Sequence, residues 1–355
     1  MNPHVIRVRN VDHALAEGLH WLAAAGIEND SRNGKVLVAP GPVLTVYAHP
    51  EERVLVSGLR DANPFFHLYE CVWMLGGSND AEQVIRYAKN MAAFAENGVM
   101  WGAYGWRWRE YFGFDQLLPL IELLKKDPKT RRAVLTMWAP YGDLAATENG
   151  SGGLSAKDVP CNTHVYFDAT QGRLDMTVCN RSNDAIWGAY GANAVHMSFL
   201  QEFIAAAAGL PLGAYCQMSN NFHAYVERED VQRLLHKDGA RYAVSYRPTC
   251  AYEAGVLEPR SLLRHGEHFG YEEFLVECEL AAQNPLGVNN YYRNDFFRNV
   301  FDPLMRAHAA YKSGDYDKAM AEVDRCLAED WEYAARDWLR RRRDKEAQAK
   351  EWNRV

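Results

Sequence analysis

Cys161 and Arg181 bracket two short alternating apolar stretches, Val165 and Phe167, then Leu174, Met176 and Val178, separated by a turn at Gln171-Gly172. That period of two predicts a hairpin with a thiol at its entrance and a guanidinium just past its exit. A thiolate beside cations is a nucleophile at neutral pH, so the pair suits attack on a ring whose anionic handle sits nearby. Glu70 is the second candidate. It is set among Phe66, Tyr69, Val72, Trp73 and Met74 in an apolar helix predicted over 65–75. A carboxyl buried there must be paired, hydrogen-bonded or raised in pKa, and a raised value is what an acid/base needs. Arg131 and Arg132 precede a strand predicted over 133–138, and Arg32 stands in a turn-rich loop over 28–34. Each is ordinary surface charge alone; facing a phosphate, the pair forms a fork.

The elements that must hold these residues follow from periodicity and punctuation. Helices are expected over 11–25, stopped by Gly26, over 81–97 and 114–126, and from about Asn193 to 208, stopped by Gly209-Leu-Pro211. Strands are expected over 35–38, 43–47, 53–57 and 215–220. The run 100–108 reads as a glycine-punctuated aromatic loop able to wall a flat ligand, and 147–156 as a flexible Gly/Ser-rich loop. Helical patterns at 271–282 and 299–310 precede a charged helical region over 315–355, whose basic run Arg340 to Arg343 has a solvated face as its default reading. The fold expected is α/β: a large mixed sheet with flanking helices, as a catalytic domain over 1–245 and a mostly helical region over 246–355.

A 48% hydrophobic composition over 355 residues is ample for a core. The net charge of −7 argues against a general nucleic-acid binder and makes any phosphate contact local. No apolar run is long enough to span a membrane, and the first residues lack a basic-then-apolar leader pattern, so a cytoplasmic location is expected. Seven scattered cysteines without a CxxC pair point to reduced thiols and to no metal site.

Taken in order, the Arg32 loop, the Glu70 helix, Tyr104-Gly105 with Arg107 and Trp108, Asp127-Pro-x-x-Arg131-Arg132, Pro160-Cys161, Arg181-Ser182-x-Asp184-x-x-x-Gly188, Asn193 and His223-x-Tyr225 resemble the thymidylate synthase superfamily over about residues 28–230. The resemblance implies that Cys161 adds to carbon 6 of a pyrimidine nucleoside monophosphate and that Glu70 manages protons at the base. Tyr104 and Asp184 join them as catalytic residues. It further implies that Arg32, Arg181 and Ser182 hold the phosphate side, with Arg131 and Arg132 reaching in from the other subunit of a homodimer. His223 and Tyr225 would bind the sugar hydroxyl and Asn193 the base edge. Trp101, Asp184 and Gly188 would hold the folate of 5,10-methylenetetrahydrofolate, the one-carbon donor.

The departures decide between branches. Typical synthases read Pro-Pro-Cys-His and Gln-Arg-Ser, where this chain has Val159-Pro-Cys-Asn162 and Asn180-Arg-Ser. The folate wall between Trp101 and Tyr104 is shortened, and the last residues, Lys350-Glu-Trp-Asn-Arg-Val355, are no counterpart of the synthases' apolar closing tail. A site open to water hydroxylates the exocyclic methylene intermediate; a sealed one reduces it to methyl. The expected activity is therefore hydroxymethylation of carbon 5, most simply of dUMP, because an Asn amide complements uracil. Gly188 to Asn193 is one residue longer than in synthases, so Ala192 or Asn193 could occupy the base position. A dCMP or CMP hydroxymethylase, a divergent thymidylate synthase, and an inactive nucleotide- or RNA-binding relative are the alternatives.

Overall fold

The structure, a computed structural model, describes residues 2–31, 33–56, 60–144, 158–238, 241–244, 250–261, 270–286 and 292–352. Arg32 and the loop expected over 147–156 lie outside the described residues. In chain order the elements are β1 (His4–Val8), α1 (Val11–Ala25), β2 (Ile27–Ser31), β3 (Gly34–Val38), β4 (Val43–Tyr47), α2 (Pro64–Leu75), α3 (Ala81–Ile85), α4 (Tyr104–Arg109), α5 (Leu117–Lys126), β5 (Val134–Thr136) and α6 (Pro140–Asp143). They continue with β6 (Asn162–Asp168), β7 (Leu174–Asn180), β8 (Asn183–Asp184), α7 (Asn193–Ala208), β9 (Leu212–Ser219), β10 (Phe222–Tyr225), α8 (Glu229–Gln232), β11 (Leu235–Asp238) and β12 (Arg241–Val244). Among the described residues α9 (Tyr271–Gln283), a π-type turn Phe297–Phe301, α10 (Asp302–Lys312), α11 (Tyr316–Val323) and α12 (Glu329–Trp352) follow.

Six strands form a mixed sheet in the order β1-β4-β9-β7-β6-β5. The expected hairpin is its β6–β7 pair, antiparallel, with Val165 opposite Val178 and Phe167 opposite Met176. One face of the sheet carries buried Val43, Tyr47, Tyr215, Val178, Val165 and Leu135, the alternation a half-buried strand requires. α7 packs on β7 and β9 on one side and on α2 on the other. Both helices are apolar almost all round, as central helices must be, and every residue of α2 is buried. Asn63 starts α2 by accepting the Phe66 amide, with Pro64 in the first turn, where its missing N–H costs nothing. The C-terminal helices share this core. Trp338 of α12 meets Phe65 edge-on at 5.5 Å, and α9 runs so close to Gly76 that an added Cβ would sit 3.0 Å from the Cys278 carbonyl oxygen.

Several expectations are corrected. The strand over 53–57 does not form at residues 53–56: β4 already pairs with β1 and β9, so no edge is left, and Arg53 instead turns inward to a buried ion pair with Glu202 at 2.6 Å. The helix over 81–97 stops at Ile85, followed by a short 3-10 turn, Lys89–Ala93, because Asp80 and Glu96 both bridge to Val99 and pull the chain back. The loop over 28–34 contains β2, and the aromatic loop over 100–108 contains the start of α4. The basic run is no free solvated face: Arg341 and Arg342 both pair with Asp61, pinning α12 beside the start of α2.

Candidate active site

Cys161 sits at the bend entering β6, half-buried, and its carbonyl accepts the Arg181 amide at 2.9 Å, which closes the hairpin base. The Arg181 guanidinium donates to the Pro160 and Val159 carbonyls, each at 2.8 Å, and its Nη2 stands 3.8 Å from the Cys161 sulfur. That sets a fixed positive charge beside the sulfur. The Asn162 amide donates to the Tyr104 hydroxyl at 3.4 Å. Burial, reinforced by Cys161 and Asp158, holds that phenol protonated, well above its ordinary range. Tyr104 is brought there because α4 lies hard against α2: a Cβ on Gly105 would fall 1.8 Å from the Met74 carbonyl oxygen.

Glu70, on α2, has its carboxyl pushed up to about 8 by burial and, secondarily, by Asp158. Asp158 accepts the Gly102 amide at 2.8 Å, and its charge acts on Glu70, Tyr104 and Arg181 together, so it belongs to the same cluster.

Behind the thiol runs a chain of amides. Asn162 Nδ2 donates to Asn193 Oδ1 at 3.2 Å, Asn193 Nδ2 to Asn183 Oδ1 at 3.0 Å, and Asn183 Nδ2 to the Ser219 hydroxyl at 3.0 Å. The extra residue between Gly188 and Asn193 is taken up in a π-type turn, Ala185–Ala192, with the Asn193 amide bonding the Gly188 carbonyl. The turn puts Asn193, and not Ala192, in the amide chain; such turns recur at functional sites. Gly188 has a steric reason to be glycine, since a Cβ would stand 2.7 Å from Asn183 Oδ1. Asp184 caps the turn, its Oδ1 accepting the Ile186 and Trp187 amides at 2.7 and 2.8 Å, which leaves its other oxygen outside the cap.

His223 on β10 pairs across from Asp184 on β8, bonds Asn221 Oδ1 at 2.8 Å, and is lowered in pKa by burial. Tyr225 lies edge-on to it at 5.1 Å and accepts from Asn33 at 3.5 Å, beside position 32. Ser182 is half-buried next to Arg181. Trp101 donates to Asp143 at 3.3 Å, while its carbonyl takes Nε and Nη2 of Arg107. Arg107 and Asp143 form a fully buried pair at 2.9 Å, so Arg107 holds the aromatic wall in place. Arg131 and Arg132 are exposed ahead of the edge strand β5, and this single chain does not join them to the Cys161 cluster. A surface cavity of about 650 Å³ lined by Ile85, Tyr87, Met305 and His308 shares no residue with it.

Sequence reading missed Asp158, Asn183 and also His196, whose Nε2 lies 3.1 Å from Glu70 Oε2, as members of the site. Asp158 lies three residues before Cys161 and His196 three past Asn193, on the same helical face, which is the signal that was available.

Residues 26–245 match the family Thymidylate synthase. The chain is 45% identical to "Deoxyuridylate hydroxymethyltransferase" of Pseudomonas phage M6 over 345 residues, covering 96% of this chain and 94% of that protein. It is 31% identical to the protein of the same name from Bacillus phage SP01, over 78% of this chain and 69% of the relative. The paired thiol and guanidinium, the raised carboxyl and the amide chain thus sit inside a matched region covering most of the sequence, and the chain belongs to the thymidylate synthase family.

Proposed function

We propose that this protein hydroxymethylates carbon 5 of dUMP, with 5,10-methylenetetrahydrofolate as one-carbon donor. The observation that carries the chemistry is the Arg181 guanidinium 3.8 Å from the Cys161 sulfur, joined through Asp158, which acts on both Arg181 and the raised Glu70 carboxyl. The hydroxymethyl outcome is supported by the near-full-length likeness to the phage M6 protein.

The Cys161 thiolate adds to carbon 6, which turns carbon 5 into a nucleophilic enolate carbon. Tyr104, kept protonated, stands near the thiol as a hydrogen-bond donor. Asn193 has one amide edge spent on Asn162 and Asn183, and presents its remaining acceptor and donor to N3–H and O4 of uracil. Arg181, Ser182 and Arg32 take the phosphate, and His223 with Tyr225 the sugar hydroxyl. Trp101, the uncapped oxygen of Asp184 and the turn at Gly188 fit a folate ring: a half-exposed indole wall and a carboxylate oxygen outside any cap. Bound there, methylenetetrahydrofolate supplies a carbon at the oxidation level of formaldehyde. Carbon 5 gives up its own proton and tetrahydrofolate leaves, which creates an exocyclic methylene on the nucleotide; Glu70 then takes the proton from water as its oxygen joins that methylene carbon, and the ring electrons return through the enolate and expel the Cys161 thiolate.

The active form is a homodimer in this proposal. The outer face of the six-stranded sheet leaves Val46, Cys216, Met218 and Cys179 half-covered and Val5, Val134 and Tyr166 exposed, an apolar surface suited to a second copy. Arg131 and Arg132, exposed ahead of that sheet's edge strand β5, reach the partner's phosphate site in this reading. The C-terminal helices, packed on α2, buttress Glu70. Trapping a Cys161–nucleotide adduct and comparing Cys161→Ala tests the chemistry: turnover vanishes while dUMP affinity stays, whereas equal turnover without the thiol refutes it.

A further inference from the structure

His196 has no part in the reaction drawn so far, yet it faces Glu70 directly. Its Nε2 lies 3.1 Å from Glu70 Oε2, with the side chains 2% and 12% exposed. Each of these two atoms is sealed from solvent and has no aligned hydrogen bond to anything else. Buried polar atoms are costly to leave unsatisfied, so the contact at 3.1 Å is the one that satisfies both, after a small rotation of carboxyl or ring. The ring also bonds the His67 backbone carbonyl. That bond needs an N–H, so in the neutral imidazole Nε2 is left as an acceptor.

The charged and titratable surroundings agree. Glu70 faces Asp158 from the segment before Cys161, and Cys71 from its own helix; His196 faces His67 edge-on at 5.9 Å, with Arg60 beyond. The buried Arg53–Glu202 pair acts on Cys71. Burial pushes His196 down to about 3 and Glu70 up to about 8, so the resting pair is carboxyl and neutral imidazole.

We propose that His196 is the positioning residue for Glu70: its Nε2 accepts the Oε2 hydrogen, fixing the carboxyl with its acidic edge inward and Oε1 toward the nucleotide as a base. Resting on the hydroxymethylation reading, the step balances. Water's oxygen bonds the exocyclic carbon, its proton passes to Oε1, and the Oε2 proton passes to Nε2. The carboxyl stays neutral, and the imidazolium charge offsets the enolate until the thiolate leaves; the Oε1 proton then passes to the freed Cys161 sulfur as the Nε2 proton returns to Oε2, which restores the resting pair.

The test has two arms. In ¹⁵N-histidine-labelled protein, the His196 Nε2 signal is expected to move as Glu70 titrates near pH 8, and to lose that movement in Glu70→Gln; no movement, or the same movement in both, overturns the pairing. This arm holds whatever the product is, so a methyl product would refute the reading without touching the pair. In the second arm, His196→Gln, which can bond but cannot take a proton, lowers kcat by about tenfold or more while KM for dUMP stays within about threefold. A kcat within about twofold of wild type overturns the role. Should that variant fail to fold, the first arm decides.

Discussion

Replacing Glu70 by glutamine should make the protein more stable as it makes it inactive, and the gain should depend on pH. In the folded chain the carboxyl titrates at about 8 because it is buried, against 4.5 ordinarily. Between these values the unfolded chain releases the proton and the folded chain keeps it, so rising pH favours unfolding; below pH 4.5 the difference is gone, and above 8 it is complete. At about 1.4 kcal/mol per pH unit, this group costs the fold about 3 kcal/mol at pH 7. Glutamine keeps the shape and does not ionise. With an unfolding entropy of about 2.1 cal/mol/K per residue, 3 kcal/mol corresponds to a rise in Tm of about 4 °C for a chain of this length. Thermal melts of wild type and Glu70→Gln from pH 4 to pH 9 should therefore coincide at the acid end and separate progressively above pH 5. A gap that is independent of pH, or a variant less stable at pH 7, refutes the claim that its buried setting holds Glu70 protonated.

Three further outcomes follow from single contacts. Arg107→Met leaves the Asp143 carboxylate buried without its partner and should cost about 3–5 kcal/mol in denaturant titration, with KM for the folate rising as Trp101 loosens. Gly105→Ala sets a Cβ against the Met74 carbonyl and should cost about 3 kcal/mol or more, read as a fall in Tm and in the yield of active protein. Asn193→Asp exchanges a uracil edge for one that accepts from the cytosine amino group; dUMP turnover should fall by on the order of a hundredfold and dCMP turnover appear, in parallel product assays.

The hairpin carrying Cys161 and Arg181 was legible because one face of β6 and β7 is buried, which forces the period of two. α2 was legible because Asn63-Pro64 starts it and its apolar run fits a central helix. The pairing partners were not. Val54 and Val56 alternate as a strand does, but only the sheet order shows that β4 has no free edge. Whether Ala192 or Asn193 faces the base depends on where one extra residue is absorbed, and a π-type turn leaves no mark in composition or periodicity. Asp158 and His196 act on Glu70 and Asn183 bonds Ser219, all distant in sequence; spacing from Cys161 and Asn193 marks two of them as neighbours of the site but does not name those partners. Arg341 and Arg342 read as solvated charge because their partner, Asp61, lies about 280 residues away.

The central claim is that water, and not hydride, completes the reaction at carbon 5. It is tested most directly by turning over dUMP and methylenetetrahydrofolate in ¹⁸O-water and weighing the nucleotide product while following dihydrofolate by absorbance. The account expects a hydroxymethyl nucleotide carrying ¹⁸O, with no dihydrofolate. A methyl nucleotide with stoichiometric dihydrofolate contradicts it.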